Sequence, residues 1–233
     1  MSLTTAAPHS QPLMPSSAVP GLRGLIADWS SDCEAFHVAW GKAMMWIFLL
    51  SDTFIFGSFL TGYMTVRAST TVPWPNTSQV FSLNIGGTDL PLILIAIMTF
   101  VLITSSGTMA MAVNYAYQRD RRKAALLMLV TAGFGVMFVS MQAFEWTKLI
   151  HEGVRPWGNP MGAAQFGSTF FMITGVHGLH VSVGVIYLAI VAVRLMRGSY
   201  DHKPNYQIVE IVGLYWHFVD LVWVFIFAFF YLW

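Results

Sequence analysis

Cysteine is almost missing. Cys33 stands alone among 233 residues, so the chain can form neither an internal disulfide nor a CxxC metal site. Charge is scarce as well: Asp, Glu, Lys and Arg make up 10% of the residues against 56% hydrophobic ones, too apolar a balance for a soluble domain. The first 22 residues hold no Lys or Arg and no unbroken apolar run, so they resemble neither a secretory signal nor an Arg-rich transit peptide. No basic block interleaved with aromatics suggests a nucleic-acid partner, and no internal repeat suggests an inverted-repeat transporter. These absences leave an integral membrane protein.

What is present is a series of five apolar stretches, at about 42–66, 90–112, 124–147, 165–194 and 208–233, each long enough to cross a bilayer as a helix. They predict an all-α membrane domain over residues 41–233. Ahead of it, residues 1–40 read as a flexible tail, with Trp29 to Trp40 forming an interfacial approach. Pro73, Pro75 and Gly86-Gly87 mark one loop, and Gly153, Pro156, Gly158 and Pro160 another. Of the 12 Lys and Arg residues, Arg67, Lys148 and Arg155 fall on one set of alternating loops and the rest on the set that includes the N-terminal tail. The positive-inside rule then places the N-terminus in the cytoplasm and the C-terminus outside.

The fourth stretch carries His177 and His180, three residues apart and therefore near one another on a helix, among Gly175, Gly178 and Gly184. Small residues in a membrane helix mark close packing of a neighbour. The fifth stretch repeats the spacing with His217 and Asp220. Counted from the basic residue at each cytoplasmic end, His180 and His217 lie at about 21 Å and His177 and Asp220 at about 26 Å. Antiparallel helices would then bring His177 to Asp220 and His180 to His217. Two readings stay open for the histidines. Imidazole is a common ligand of metals and haem iron. The residue pattern favours the other reading, a hydrogen-bonded network that fixes helix packing, because His9, His37, His151 and His202 lie in tails or loops.

Three acids differ in depth. Asp52 sits about 15 Å above Lys42, with no basic residue in its own span, and reads either as a proton-related acid or as a neutral carboxyl bonded to a carbonyl. Glu145 counts out about 33 Å from Lys123, at a rim where a carboxylate would be hydrated. Glu210 begins the fifth helix, where an acid suits the positive end of the dipole. Arg194 and Arg197 end the fourth helix, and basic groups beside a helix cleft can hold lipid head groups.

Four motifs, LLSDTFIFGSF, MQAFEW, GSTFFMITGVHGLHVSVG and YWHFVDLVWVFIF, stand in order along the chain. From about residue 40 to the end the sequence resembles subunit III of the haem-copper respiratory oxidases, in a five-helix bacterial form that lacks two N-terminal helices of the mitochondrial type. The resemblance implies an accessory core subunit of a proton-pumping terminal oxidase that reduces oxygen to water in a bacterial plasma membrane, with no catalytic residue and no metal on this chain. Haem and copper would belong to partner subunits. Subunit I would be the main contact, with subunit II, small subunits and membrane phospholipids as further partners. The subunit would stabilise subunit I, hold lipids and support proton uptake. Asp52 falls where many members carry a carbodiimide-reactive glutamate, and Arg194 and Arg197 fall where the family has basic residues near lipid head groups. Cytochrome c is preferred to quinol as the electron donor.

Overall fold

The computed structural model describes residues 40–76, 80–85, 88–160, 162–201 and 206–232. The tail ahead of Trp40, with Cys33, and Lys203, the reference for depth in the fifth span, lie outside the described residues. The rest forms five long helices: α1 (Trp40–Ser69), α2 (Ile93–Tyr117), α3 (Arg121–His151), α4 (Gln165–Met196) and α5 (Gln207–Phe227), the last continuing through a single π turn, Ala228–Leu232. All five are long and apolar enough to cross a membrane. Their outer faces are oily, with Leu50, Phe54 and Phe100 exposed by 61%, 70% and 71%, as helices surrounded by lipid require.

Local chemistry moves the helix ends by a few residues from their expected places. Asp120 Oδ1 accepts from the Lys123 backbone N–H at 3.2 Å, which starts α3 before the basic cluster ends. Leu92, with φ of 61°, interrupts the chain just before α2. Between α1 and α2 a short hairpin, β1 (Ser82–Ile85) and β2 (Thr88–Pro91), sets Ser82 against Pro91 and Ile85 against Thr88. It occupies what the sequence marked only as a loop.

Within the compact unit Met45–Trp233, α2 packs on α3, α3 on α4, α4 on α5, and α5 returns to α2. The indole of Trp216 fills the middle of this ring and is fully buried. A Cβ added to Gly135 of α3 would stand 2.6 Å from its Cη2, and one added to Gly184 of α4 would stand 3.0 Å from its Cζ3. Its Nε1 donates to Ser105 Oγ of α2 at 2.9 Å. One side chain thus touches all three other helices of the ring. Of the glycines around the paired histidines, Gly184 is the one at a close crossing. Gly175 has ordinary contact with Trp146, and Gly178 has nothing within 4 Å.

Helix α1 comes to this ring through side chains, with few close backbone approaches. Phe48 stacks on Tyr215 with ring centroids 6.2 Å apart, and Tyr63 lies on Phe230 at 4.0 Å.

At the end carrying the basic cluster, Arg121 pairs with Asp201 Oδ2 at 2.5 Å, and the Tyr206 hydroxyl donates to Asp201 Oδ1 at 2.7 Å. Arg119 lies over the Tyr206 ring, 5.1 Å from its centroid. The Tyr206 hydrogen bond, with the Arg121 charge behind it, holds the Asp201 carboxyl below the usual range, and the same hydrogen bond raises Tyr206. A carboxyl depressed in the fold contributes stability above its unfolded pKa and loses it as pH falls through the folded one. Amide exchange at Ser199 and Asp201, corrected for intrinsic rate, is therefore expected to quicken as the medium is acidified past the ordinary carboxylate range. Asp201→Asn should erase that step; a flat profile in the unaltered chain would contradict the role given to the carboxylate.

Candidate functional site

The four polar residues of α4 and α5 do not meet as their depths suggest. Residues three apart on a helix differ by about 60° in direction, enough for each to face a different neighbour. His180 turns to α1, where its Nε2 lies 3.2 Å from Asp52 Oδ2, close enough for charge pairing but without the alignment of a hydrogen bond. His217 turns to α2, where its Nδ1 lies 2.5 Å from Ser106 Oγ. His177 stacks on Trp223 with centroids 5.3 Å apart and planes at 28°, and receives the edge of Phe138 at 5.8 Å. Neither nitrogen of His177 has a hydrogen-bond partner among the described residues, and the Asp220 carboxyl, which lies beside Ser106 of α2, makes no well-aligned hydrogen bond. The expected pairs, His177 with Asp220 and His180 with His217, are thus replaced by contacts that reach α1 and α2.

Asp52 and His180 form the most constrained cluster. Both are set on long helices, and Asp52 is 4% exposed. The second ring nitrogen of His180, Nδ1, is 2.7 Å from the carbonyl of Val176 one turn back. A carbonyl only accepts, so Nδ1 carries a hydrogen. In a neutral ring Nε2 then bears a lone pair, and an ionised Asp52 facing it would put two electron-rich atoms together in a low-dielectric interior. The pair is favourable when it holds one further proton, either as a carboxylic acid beside imidazole or as a carboxylate beside imidazolium. Both forms are neutral overall. Tyr215 closes the cluster by donating to the His180 carbonyl at 2.9 Å, and the Phe56 ring edges both histidines, His180 at 5.4 Å and His177 at 6.4 Å.

Glu145 departs from the expectation of a hydrated rim acid. It is 3% exposed, and its Oε2 accepts from Gln142 Nε2 at 3.2 Å and from the Tyr231 hydroxyl at 3.3 Å. The π turn that ends α5 brings Tyr231 over it. Glu210 does sit in the first turn of α5, as expected. There it lines a cleft of about 240 Å³ with Val113, Ala116, Tyr117, Arg119, Tyr206 and Gln207. Arg194 lies in the last turn of α4 and Arg197 caps it, and neither lines that cleft. Among the described residues, no three His, Cys, Asp or Glu side chains gather closely enough to hold one metal ion.

Several side chains that build the site went unmarked by sequence reasoning: Ser105, Ser106 and Thr99 on α2, and the indoles they serve. Trp223 Nε1 donates to Thr99 Oγ1 at 3.0 Å, much as Trp216 does to Ser105. The signal available was the flanking of His217 and Asp220 by two Trp residues, each needing a partner for its N–H once buried.

The comparisons with known proteins agree with this architecture. The family described as cytochrome c oxidase subunit III matches residues 32–233. A quinol oxidase subunit 3 of Staphylococcus saprophyticus is 32% identical over 188 residues, covering 80% of this chain and 86% of the relative. A protein of the same name from Staphylococcus aureus is 33% identical over 187 residues, again covering 80% and 86%. Five apolar helices, the ordered motifs and a family match over nearly the whole membrane domain give one conclusion: the chain belongs to the subunit III family of haem-copper terminal oxidases, as a multi-pass accessory membrane subunit.

Proposed function

We propose that this subunit assists proton delivery in its oxidase while oxygen is reduced on haem and copper held by partner subunits, and that the Asp52–His180 pair is the group through which it does so. The observation that carries the reading is a buried carboxyl 3.2 Å from an imidazole whose other nitrogen is committed to Val176. Such a pair keeps one exchangeable proton inside the membrane without net charge. His177 and Asp220 serve helix packing, His217 ties α5 to α2 through Ser106, and Glu145 fixes the end of α5 rather than carrying protons. Lysines and arginines on one set of loops support a cytoplasmic N-terminus in a bacterial plasma membrane. Subunit I is the main partner in this reading, with subunit II beyond it, and phospholipid fills grooves at the interface.

For the electron donor we favour a quinol in place of cytochrome c. The support is the name carried by the relatives in Staphylococcus, quinol oxidase subunit 3, over four-fifths of the chain. Purified complex is expected to consume oxygen with a reduced quinol and to ignore reduced cytochrome c; the reverse preference would overturn this choice. In the same preparation Asp52→Asn should assemble normally, because the amide keeps the size and polarity of a protonated carboxyl, and should turn over several-fold more slowly or inactivate sooner. Unchanged turnover and lifetime would leave the pair as packing alone.

A further inference from the structure

His217 poses a problem that the ring of helices does not solve. It sits about 15 Å from the start of a helix about 39 Å long, α5 with its π turn, and so falls near the middle of the span. Its Nδ1 is engaged by Ser106, itself about 20 Å into α2. No hydrogen bond from the described residues reaches its Nε2, and that nitrogen is not among the buried unpartnered atoms, so it keeps some exposure and is not sealed inside the ring of helices. The residue is half-buried. Lipid tails can neither donate nor accept a hydrogen bond, and a polar group left facing them is costly. Serine and threonine elsewhere on the outer faces avoid this by bonding to their own helix, as Ser58 does to Phe54 and Ser140 to Val136. Imidazole at Nε2 has no such way back.

The surface around it is suited to another helix. Leu221 and Val224 of α5, one and two turns on, are 55% and 44% exposed, and Ile103 beside Ser106 on α2 is 56% exposed. Gly107, on the same outward side, has nothing within 4 Å of where a Cβ would stand, which lets a neighbouring backbone come close.

We propose that the outward seam between α2 and α5 is the face on which a membrane helix of a partner oxidase subunit docks, presenting to His217 Nε2 a side chain that donates or accepts a hydrogen bond. The inference rests on the accessory-subunit reading and adds to it the face used and the chemistry that recognises it. Neutral imidazole can play either part, so the partner side chain is a hydroxyl, amide or carboxyl. A head group is excluded by depth, since lipid polar groups lie at the ends of α5 and not at its middle.

The test is photo-crosslinking in the intact, purified complex, with a benzophenone amino acid at Ile103 or Leu221 and, for comparison, at Val136 on the outer face of α3. The expected result is one discrete adduct with another oxidase subunit from both seam positions. His217→Leu should cut that adduct several-fold, and His217→Gln, which keeps a hydrogen-bonding group, should restore most of it. Lipid adducts alone from the seam, or an adduct with a second copy of this chain, would overturn the proposal while haem still co-purifies. An adduct indifferent to His217→Leu would remove the histidine from recognition. Absence of any haem-containing partner from the preparation would instead sink the accessory-subunit reading itself, and this inference with it.

Discussion

Gly135→Val should sharply lower the recovery and the thermal midpoint of the folded subunit in its complex. A Cβ at this position would stand 2.5 Å from Val185 Cγ2 and 2.6 Å from Trp216 Cη2, closer than real carbon atoms come. Neither neighbour steps aside easily, since Val185 is a β-branched side chain held to one preferred rotamer on α4 and the Trp216 indole is fully buried and tied to Ser105. Relief requires α3, α4 and α5 to spread. Overpacking that forces side chains and backbone to shift costs typically about 1–3 kcal/mol and occasionally more, so with two clashes at one point a loss near the upper end, about 3 kcal/mol or on the order of 100-fold in folded population, is expected. Gly135→Ala should be milder, and adding Val185→Ala with Trp216→Phe should return part of the loss by removing the atoms it meets. The measurement is the yield and thermal midpoint of the detergent-solubilised complex. A Gly135→Val complex of normal yield would mean that the helices do not cross where Trp216 places them.

The second large effect is expected from cutting the Asp52–His180 pair on one side. His180→Leu leaves a carboxyl that is 4% exposed facing an apolar side chain, and a buried polar group left unsatisfied costs about 1–3 kcal/mol, more if it stays ionised. The double change Asp52→Leu with His180→Leu should recover assembly, because two apolar side chains in an apolar place leave nothing unsatisfied. The two changes are therefore strongly non-additive, the double variant being more stable than the His180 single. Recovered assembly without recovered turnover would separate the packing role of the pair from its proton role. Losses that simply add would show that the two residues do not act as a unit.

The five spans were legible because membrane helices need little more than length and oil, and the apolar runs met that need without reference to anything else. The bounds slipped where a local device intervened, as with the Asp120 cap and the left-handed Leu92. Partners were harder to read. Counting residues gave the depth of His177, His180, His217 and Asp220, but depth is one coordinate and direction is another. A difference of about 60° sent His180 to α1 and left His177 on Trp223. Glu145 illustrates the same limit: its position along α3 says nothing of Tyr231, 86 residues away, arriving to cover it. Serine and threonine are common in membrane helices, so Thr99, Ser105 and Ser106 gave no warning that they hold two indoles and a histidine. The hairpin of β1 and β2 has strands of four residues each, too short for an alternating pattern to stand out.

The attachment of α1 mainly through side chains has a consequence for the birth of the protein. Synthesis makes α1 first, yet the residues it rests on, Tyr215, Phe230 and His180 among them, belong to the last two helices. Asp52 leaves the ribosome 128 residues before its partner His180. At about 5–20 residues per second that interval is about 6–26 s. Throughout it the aspartate is without the histidine that faces it in the folded chain. Asp52 can become half of a pair only after α4 has been made, so the contact that α1 makes through this residue is necessarily a late one.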